Sequence, residues 1–520
     1  MKKVIALLIL VITMVAVYAA AAELPLSTSW KVGNQYYEAN RGWGLCRTND
    51  TTFFESNINV GYLHKMVFSD NTTYVITTAT NWGTGTTLGS GNTNGIRGLT
   101  VTPDGWVVVA DNVNNRLYSY DQDLTPKTMM PLVPSPTTNA RVYGVSCDNQ
   151  GRIFINYYIF QYSQLTAINK KRVEVYAHPS TWNGTQLTPL QSFDVDTVNG
   201  TGYIWEGSVV KKDASSVYIA ARGVNKIYKY SGSVASGYDV DPVFTTIDII
   251  DDPSSSKAYG FRNISLTPDE SRIVATYNSS FAVQTADTTA IYFFDAVYGD
   301  MLPTSSILTV GGNFRSPAMS QVLANDTECM ITNAYDGAIV RLRRDLTLVP
   351  NTFTAGNEIW ANETSIQFAT VGGDSSVSYS VTAVTGAGSI SSTGLFIPIT
   401  RGRVIVVAQD TVGNLDCTNS IVIKGLAIAP TTEVQVGVGQ QVALEEIGDG
   451  VAPLTWGVSS SALGTISNVT GKQATLTVGP ATGTLTVTCT DANGHQTTKD
   501  ITVLATEAPL ARQSVYELFE

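Results

Sequence analysis

Between Gly98 and Asp123, apolar and polar positions alternate in three short runs. Leu99–Thr102 is followed by a Pro103-Asp104-Gly105 turn, Trp106–Ala110 by a polar turn over Asp111–Asn115, and Arg116–Tyr120 closes the set. Two-residue alternation broken by Pro, Asp, Asn and Gly predicts antiparallel strands joined by tight turns. Such a meander leaves an apolar face open, so it needs copies of itself beside it.

The copies are present. Gly44-Leu45-Cys46 leads into Phe53–Asn57 and Tyr62–Met66. Gly144–Ile155 follows, with Gly151 in the place of Gly105. Trp205–Tyr230 carries Asn225-Lys226-Ile227-Tyr228 where the clearest copy has Asn115-Arg116-Leu117-Tyr118. Phe261–Asp295 carries Leu266-Thr267-Pro268-Asp269 at the first turn, and Ser316–Leu346 ends the series. Six copies at spacings of about 45–60 residues predict a six-bladed β-propeller with four-stranded blades. Ser29–Tyr37 is strand-like and lies outside the copies. It is expected to form the outer strand of the last blade and so remove an exposed sheet edge. Two copies carry insertions after the second strand: the aromatic run Tyr157, Tyr158, Phe160 and Tyr162, and Asn278–Thr289.

Gly98, Ala110-Asp111 and Asn115-Arg116-Leu117 resemble an NHL repeat, and the resemblance extends over residues 40–347. Where the clearest copy has Asp111, others carry Asn57, Tyr157, Ala221 and Asn333. After Val349-Pro350-Asn351 the chain becomes rich in Thr, Ser, Val and Gly. Gly388–Asn414 resembles the second half of a bacterial Ig-like domain, and Trp456, Gly464–Ser467, Gly483–Thr490 and Asp491–Gly494 repeat it. The expected fold class is therefore all-β: a six-bladed β-propeller plus two C-terminal Ig-like β-sandwiches. The expected division is a signal peptide over 1–22, the NHL-like propeller over 23–350, Ig-like domains over 351–425 and 426–505, and a tail over 506–520.

The signal peptide follows from Lys2 and Lys3, the apolar run Val4–Val17 and the small residues Ala20-Ala21-Ala22 before Glu23. No later stretch is apolar enough to span a bilayer, so the mature chain is expected to be secreted or on the cell surface, with no integral membrane segment. Five cysteines leave at least one without a partner in the same chain. A net charge of -11 argues against nucleic acid or an anionic membrane as partner.

Catalytic motifs are lacking. Three histidines cannot ring a channel with zinc ligands, and no nucleophile elbow, His-Glu-x-x-His or phosphate loop occurs. No catalytic residue, metal or cofactor is expected, and His64 reads as a surface or packing residue. One pattern stands out: Arg41, Arg97, Arg141, Arg262 and Arg315 each lie shortly before or at the start of a copy's first strand. A ring of guanidinium groups at the mouth of a propeller channel would bind carboxylate or phosphate. The same residues could instead bond loop carbonyls and lock the ring. Tyr157, Tyr158, Phe160 and Tyr162 suit either stacking on a sugar or a lengthened second strand. Nine Asn-x-Ser/Thr triplets permit N-glycosylation.

These features point to a secreted, non-enzymatic binding or scaffold protein, such as a subunit of a surface layer, sheath or filament. Its partners would be an extracellular protein, a glycan or another copy of itself. The alternative is a propeller lyase or hydrolase acting on an anionic extracellular polysaccharide.

Overall fold

The computed structural model describes residues 31–37, 42–57, 61–69, 74–82, 86–88, 95–132, 138–161, 170–195, 205–221, 226–248, 260–278, 289–307, 317–323, 327–333, 338–353, 359–362, 365–374 and 376–505. The expected signal peptide and the tail lie outside them. The described residues are almost entirely β-strand and turn, with a single 3-10 turn at Pro179–Thr181. No helix among them is long and apolar enough to cross a membrane.

The chain divides into two compact units. The first comprises Met1–Phe353, Ala369–Ser378 and Val407–Ser420; the second comprises Thr354–Phe368, Tyr379–Val406 and Ile421–Glu520.

The first unit contains six antiparallel sheets. Sheet I is formed by Gly42–Arg47, Thr52–Asn57, Tyr62–Phe68 and Tyr74–Ala79, in that order. Sheet II is Ile96–Val101, Val107–Asp111, Arg116–Tyr120 and Pro126–Pro131. Sheet III is Thr138–Cys147, Ile153–Gln161, Lys170–Tyr176 and Gln191–Asp194. Sheet IV is Trp205–Val210, Ser216–Ala221, Lys226–Ser233 and Gly237–Val240, with Ile247–Asp248 also beside its third strand. Sheet V is Gly260–Leu266, Arg272–Asn278, Thr289–Asp295 and Ser306–Ile307. Sheet VI is Pro317–Val322, Glu328–Asn333 and Ala338–Arg343, and its outermost strand is Lys31–Tyr37. The expected closing strand is therefore found, pairing antiparallel from Lys31 against Arg343 to Tyr37 against Ala338. The first strands of the six sheets neighbour one another in sequence order, and sheet VI returns to sheet I, so the circuit closes.

The turns that the sequence marks do the local work. Gly105 sits at φ +92 and donates its N–H to the Thr102 carbonyl, while the Thr102 hydroxyl bonds Asp104 at 2.6 Å. The same turn recurs at Thr267–Glu270, where the Thr267 hydroxyl meets Asp269 at 2.6 Å. Asp111 accepts the N–H groups of Val113 and Asn114, both at 3.0 Å, and closes the next hairpin. Asn112 bridges sheets: its amide accepts the Val142 N–H at 2.8 Å and donates to the Val142 carbonyl at 3.0 Å. Asp111 and Asn112 thus build a turn and tie it to the neighbouring sheet.

Between consecutive sheets lie separate apolar layers. Phe54, Leu99 and Tyr118 fill the space between I and II; Val108, Leu117 and Tyr176 that between II and III; Phe154, Val217 and Tyr238 that between III and IV. Tyr218, Phe261 and Phe294 pack sheets IV and V, and Phe53, Met66 and Met330 pack VI against I.

The second unit holds two copies of one strand pattern. Ile359–Trp360 runs parallel to Ile421–Lys424, as Val434–Gly437 runs parallel to Gln496–Leu504. In the later copy, the sheet Ile428–Ala429, Gln441–Glu446, Gln473–Val478, Gly464–Thr470 shares a core with Val434–Gly437, Gln496–Leu504, Gly483–Thr490, Thr455–Val458. Leu444 and Leu476 meet Leu485, Val487 and Ile501 there. Trp360 stacks on His495 with centroids 3.5 Å apart, and Arg401 pairs with Asp449 at 2.8 Å. All five cysteines are thiols rather than disulfides.

Candidate functional site

Every first strand of the six sheets carries a bulge at the same point. The register breaks between Gly42 and Gly44, Ile96 and Leu99, Val142 and Gly144, Trp205 and Gly207, Phe261 and Asn263, and Pro317 and Ser320. A bulge adds one residue, bends the strand and re-aims the chain. In four sheets a glycine in or just after the bulge lies against the next sheet. A Cβ on Gly44 would lie 2.4 Å from the Arg97 carbonyl oxygen, and one on Gly98 2.5 Å from Val145. A Cβ on Gly144 would lie 2.5 Å from the Ser208 nitrogen, and one on Gly207 2.4 Å from the Asn263 side chain. In the gap between I and II, Ser56 accepts the Gly44 N–H at 2.9 Å and donates to the Arg97 carbonyl at 3.1 Å.

This register sorts the three arginines that lie among the described residues. Arg97, with Gly98, opposes Ala110 in the bulge, and Arg262 is the extra residue of its own bulge. Arg141 lies earlier on its strand, paired with Tyr158. Arg41 and Arg315 lie outside the described residues. Arg97 and Arg262 therefore occupy one register position and Arg141 another. Arg97 is buried, at 6% exposure.

Tyr157, Tyr158 and Phe160 continue the second strand of sheet III, which runs from Ile153 to Gln161. Tyr157 pairs with Val142 and Arg172, and Tyr158 with Arg141 and Lys171. The aromatic run is thus strand rather than a loop added to it; Tyr162 lies outside the described residues.

The other sequence-marked groups pack inside the first unit. His64 is 3% exposed, holds Thr78 at 2.9 Å and lies 3.9 Å from the buried Glu55. Burial lowers its pKa to about 4. The folded state therefore holds His64 neutral while the unfolded chain protonates it near pH 6.5, so stability falls as pH drops from 6.5 toward 4. The expected loss is up to about 3 kcal/mol. His64→Gln is expected to flatten denaturant midpoints across that window; an unchanged slope would remove His64 as the cause.

His178 forms a relay with Ser180 at 2.8 Å and Asp104 at 3.0 Å. Burial acts to raise the Asp104 carboxyl, but the Thr102 hydroxyl and His178 outweigh it and hold it below the usual range. Ser, His and Asp in a chain suggest acyl transfer, yet an acyl-transfer site also needs N–H donors for the oxyanion. The Ser180 N–H goes to His178, and those of Thr181 and Trp182 to the carbonyls of His178 and Pro179. The relay caps the 3-10 turn. No group of three or more metal-ligating side chains is found among the described residues.

A polar seam is a feature that the sequence did not flag. Arg344 and Asp416 form an ion pair with side chains 1% and 0% exposed, and Asp416 also accepts the Leu348 N–H at 2.7 Å. Arg272, 1% exposed, donates to the carbonyls of Cys417 at 2.9 Å and Asn351 at 3.0 Å. Asp295 accepts N–H groups from Val297, Tyr298 and Ser420, at 2.8, 2.8 and 2.9 Å, and burial pushes its carboxyl above the usual range. Asn419 bonds the Phe353 N–H and carbonyl, both at 2.7 Å. Val407–Ser420 is thereby fastened to sheet V and to the segment leaving sheet VI. Separations such as the 145 residues between Arg272 and Cys417 explain why no sequence pattern announced it.

No family model matches the chain, and no curated protein matches it. Solved structures do resemble it. The Cps50 (Swd1) β-propeller domain of Myceliophteria thermophila shares 9% identity, covering 60% of this chain and 99% of that one, with a TM-score of 0.38. A streptogramin B lyase shares 11%, covering 60% and 98%, with a TM-score of 0.37. A luciferin-regenerating enzyme shares 10%, covering 62% and 94%, with a TM-score of 0.38. At these levels no activity passes to this chain; the closed circuit of sheets rests on its own strand pairing.

Proposed function

We propose that this chain is an exported six-bladed, NHL-like β-propeller with Ig-like domains over 351–425 and 426–505. In this reading it is a non-enzymatic extracellular binding or scaffold protein, at the cell surface or in a sheath, layer or filament. The observation that carries the reading is the polar seam. Buried charges add little net stability over a well-packed apolar contact, and in some proteins they select one arrangement, because separating the pair leaves a charge unpaired. A scaffold needs that uniqueness where its recognition ring meets the next segment. The repeated parallel-strand pattern of the second unit supports two Ig-like modules used as spacers. The burial of Arg97 favours a ring-locking role for that residue over anion capture. The partner is an extracellular protein, a glycan or a second copy of the chain.

Size-exclusion chromatography with light scattering, followed by electron microscopy, tests this. Ordered polymers or a stable complex with an envelope component are expected. A monodisperse monomer that depolymerises an anionic polysaccharide would replace the scaffold by an enzyme.

A further inference from the structure

The nine Asn-x-Ser/Thr triplets are not equivalent in the fold. Asn263 is 4% exposed, and its side chain fills the space that a Cβ on Gly207 would enter. Asn362 is exposed, but its Nδ2 donates to the Ile399 carbonyl at 3.4 Å. Asn49, Asn183 and Asn468 are exposed, and among the described residues their Nδ2 groups make no hydrogen bond.

Two of these three share one geometry. Asn49 Oδ1 accepts the Thr51 N–H at 2.9 Å and the Thr51 hydroxyl at 2.9 Å. Asn183 Oδ1 accepts the Thr185 N–H at 3.1 Å and the Thr185 hydroxyl at 2.6 Å. In both, the third residue of the triplet holds the amide oxygen and leaves the amide nitrogen without a hydrogen bond among the described residues. The third lies on a sheet margin. Gly464–Thr470 is an edge strand, Asn468 has a left-handed φ of 50, and Ser467–Thr470 are all exposed. Edge strands are commonly guarded by Lys or Pro, and this one, GTISNVT, has neither.

We propose that Asn49, Asn183 and Asn468 carry N-linked oligosaccharides, and that the glycan on Asn468 guards the edge strand against pairing with another chain. The inference rests on the export reading above. The donor is a lipid-linked oligosaccharide phosphate. The Asn Nδ2 bonds to the sugar's anomeric carbon, the carbon–oxygen bond to phosphate breaks, the lipid phosphate leaves, and one amide proton passes to a base of the transferase. No oxidant or reductant is needed.

Glycopeptide mass spectrometry on protein isolated from its producing cells, with the cell interior and exterior analysed separately, tests the proposal. Hexose-containing mass is expected on the Asn49, Asn183 and Asn468 peptides of the exterior protein, with the Asn263 peptide bare. Exterior protein with all three asparagines bare would overturn the glycan proposal alone. Bare protein confined to the interior would overturn it together with the export reading. Asn468→Gln is expected to remove one glycan and raise the aggregated fraction in light scattering. If the variant loses the glycan and stays as dispersed as the parent, the guarding role is lost.

Discussion

Asp416→Ala is expected to be the most damaging single change in the first unit. It leaves the Arg344 guanidinium charged and buried without its carboxylate, and it strips the Leu348 N–H of its acceptor. Removing one member of a buried pair typically costs about 3–5 kcal/mol, most of it the desolvated charge left behind. A lower urea midpoint for the first unit should report the loss. Arg344→Ala should cost a similar amount. The double variant Arg344→Met with Asp416→Leu should recover most of it, since apolar groups of similar size carry no desolvation cost. That recovery separates loss of charge pairing from damage to packing. An Asp416→Ala protein melting with the parent would show that the seam holds nothing.

Gly144→Ala is expected to rank next. Its new Cβ would stand 2.5 Å from the backbone nitrogen of Ser208, which cannot rotate away as a side-chain tip could. Sheets III and IV would have to separate, and overpacking of this kind costs about 1–3 kcal/mol. Gly144→Val should cost more. Gly457 provides the control, because nothing lies within 4 Å of its added Cβ. Gly457→Ala should stay within about 0.5 kcal/mol of the parent. Equal midpoints for the two alanine variants would mean that close approach of the first strands is not what sets the ring.

Much of this architecture is legible residue by residue. Thr102-Pro103-Asp104-Gly105 and Thr267-Pro268-Asp269 announce turns, because a short side chain that bonds its own backbone and a residue tolerant of left-handed φ act within four positions. The strand Lys31–Tyr37 could be placed on the last sheet because a closed circuit needs its missing edge. The arginines are the instructive failure of resolution. They look like one ring in the sequence, whereas Arg97 and Arg262 share a bulge position and Arg141 does not. A bulge is a property of two strands, so it cannot be counted along one. The aromatic run leaves two readings open in the sequence for a related reason: Tyr157 and Tyr158 continue a strand only because Val142 and Arg141 are there to pair with them.

Alternation, turns, the repetition from Gly44 to Leu346 and the all-β class can all be read along the chain, since each is written in the order of its residues. Which polar groups leave water cannot be read that way. No local pattern marks the charged residues Arg272, Arg344 and Asp416 for burial, and the fold buries them all, as it does His64. Burial is set by surfaces arriving from distant parts of the chain. A charge then becomes either a clasp, as in Arg344 with Asp416, or a neutral packing group, as in His64.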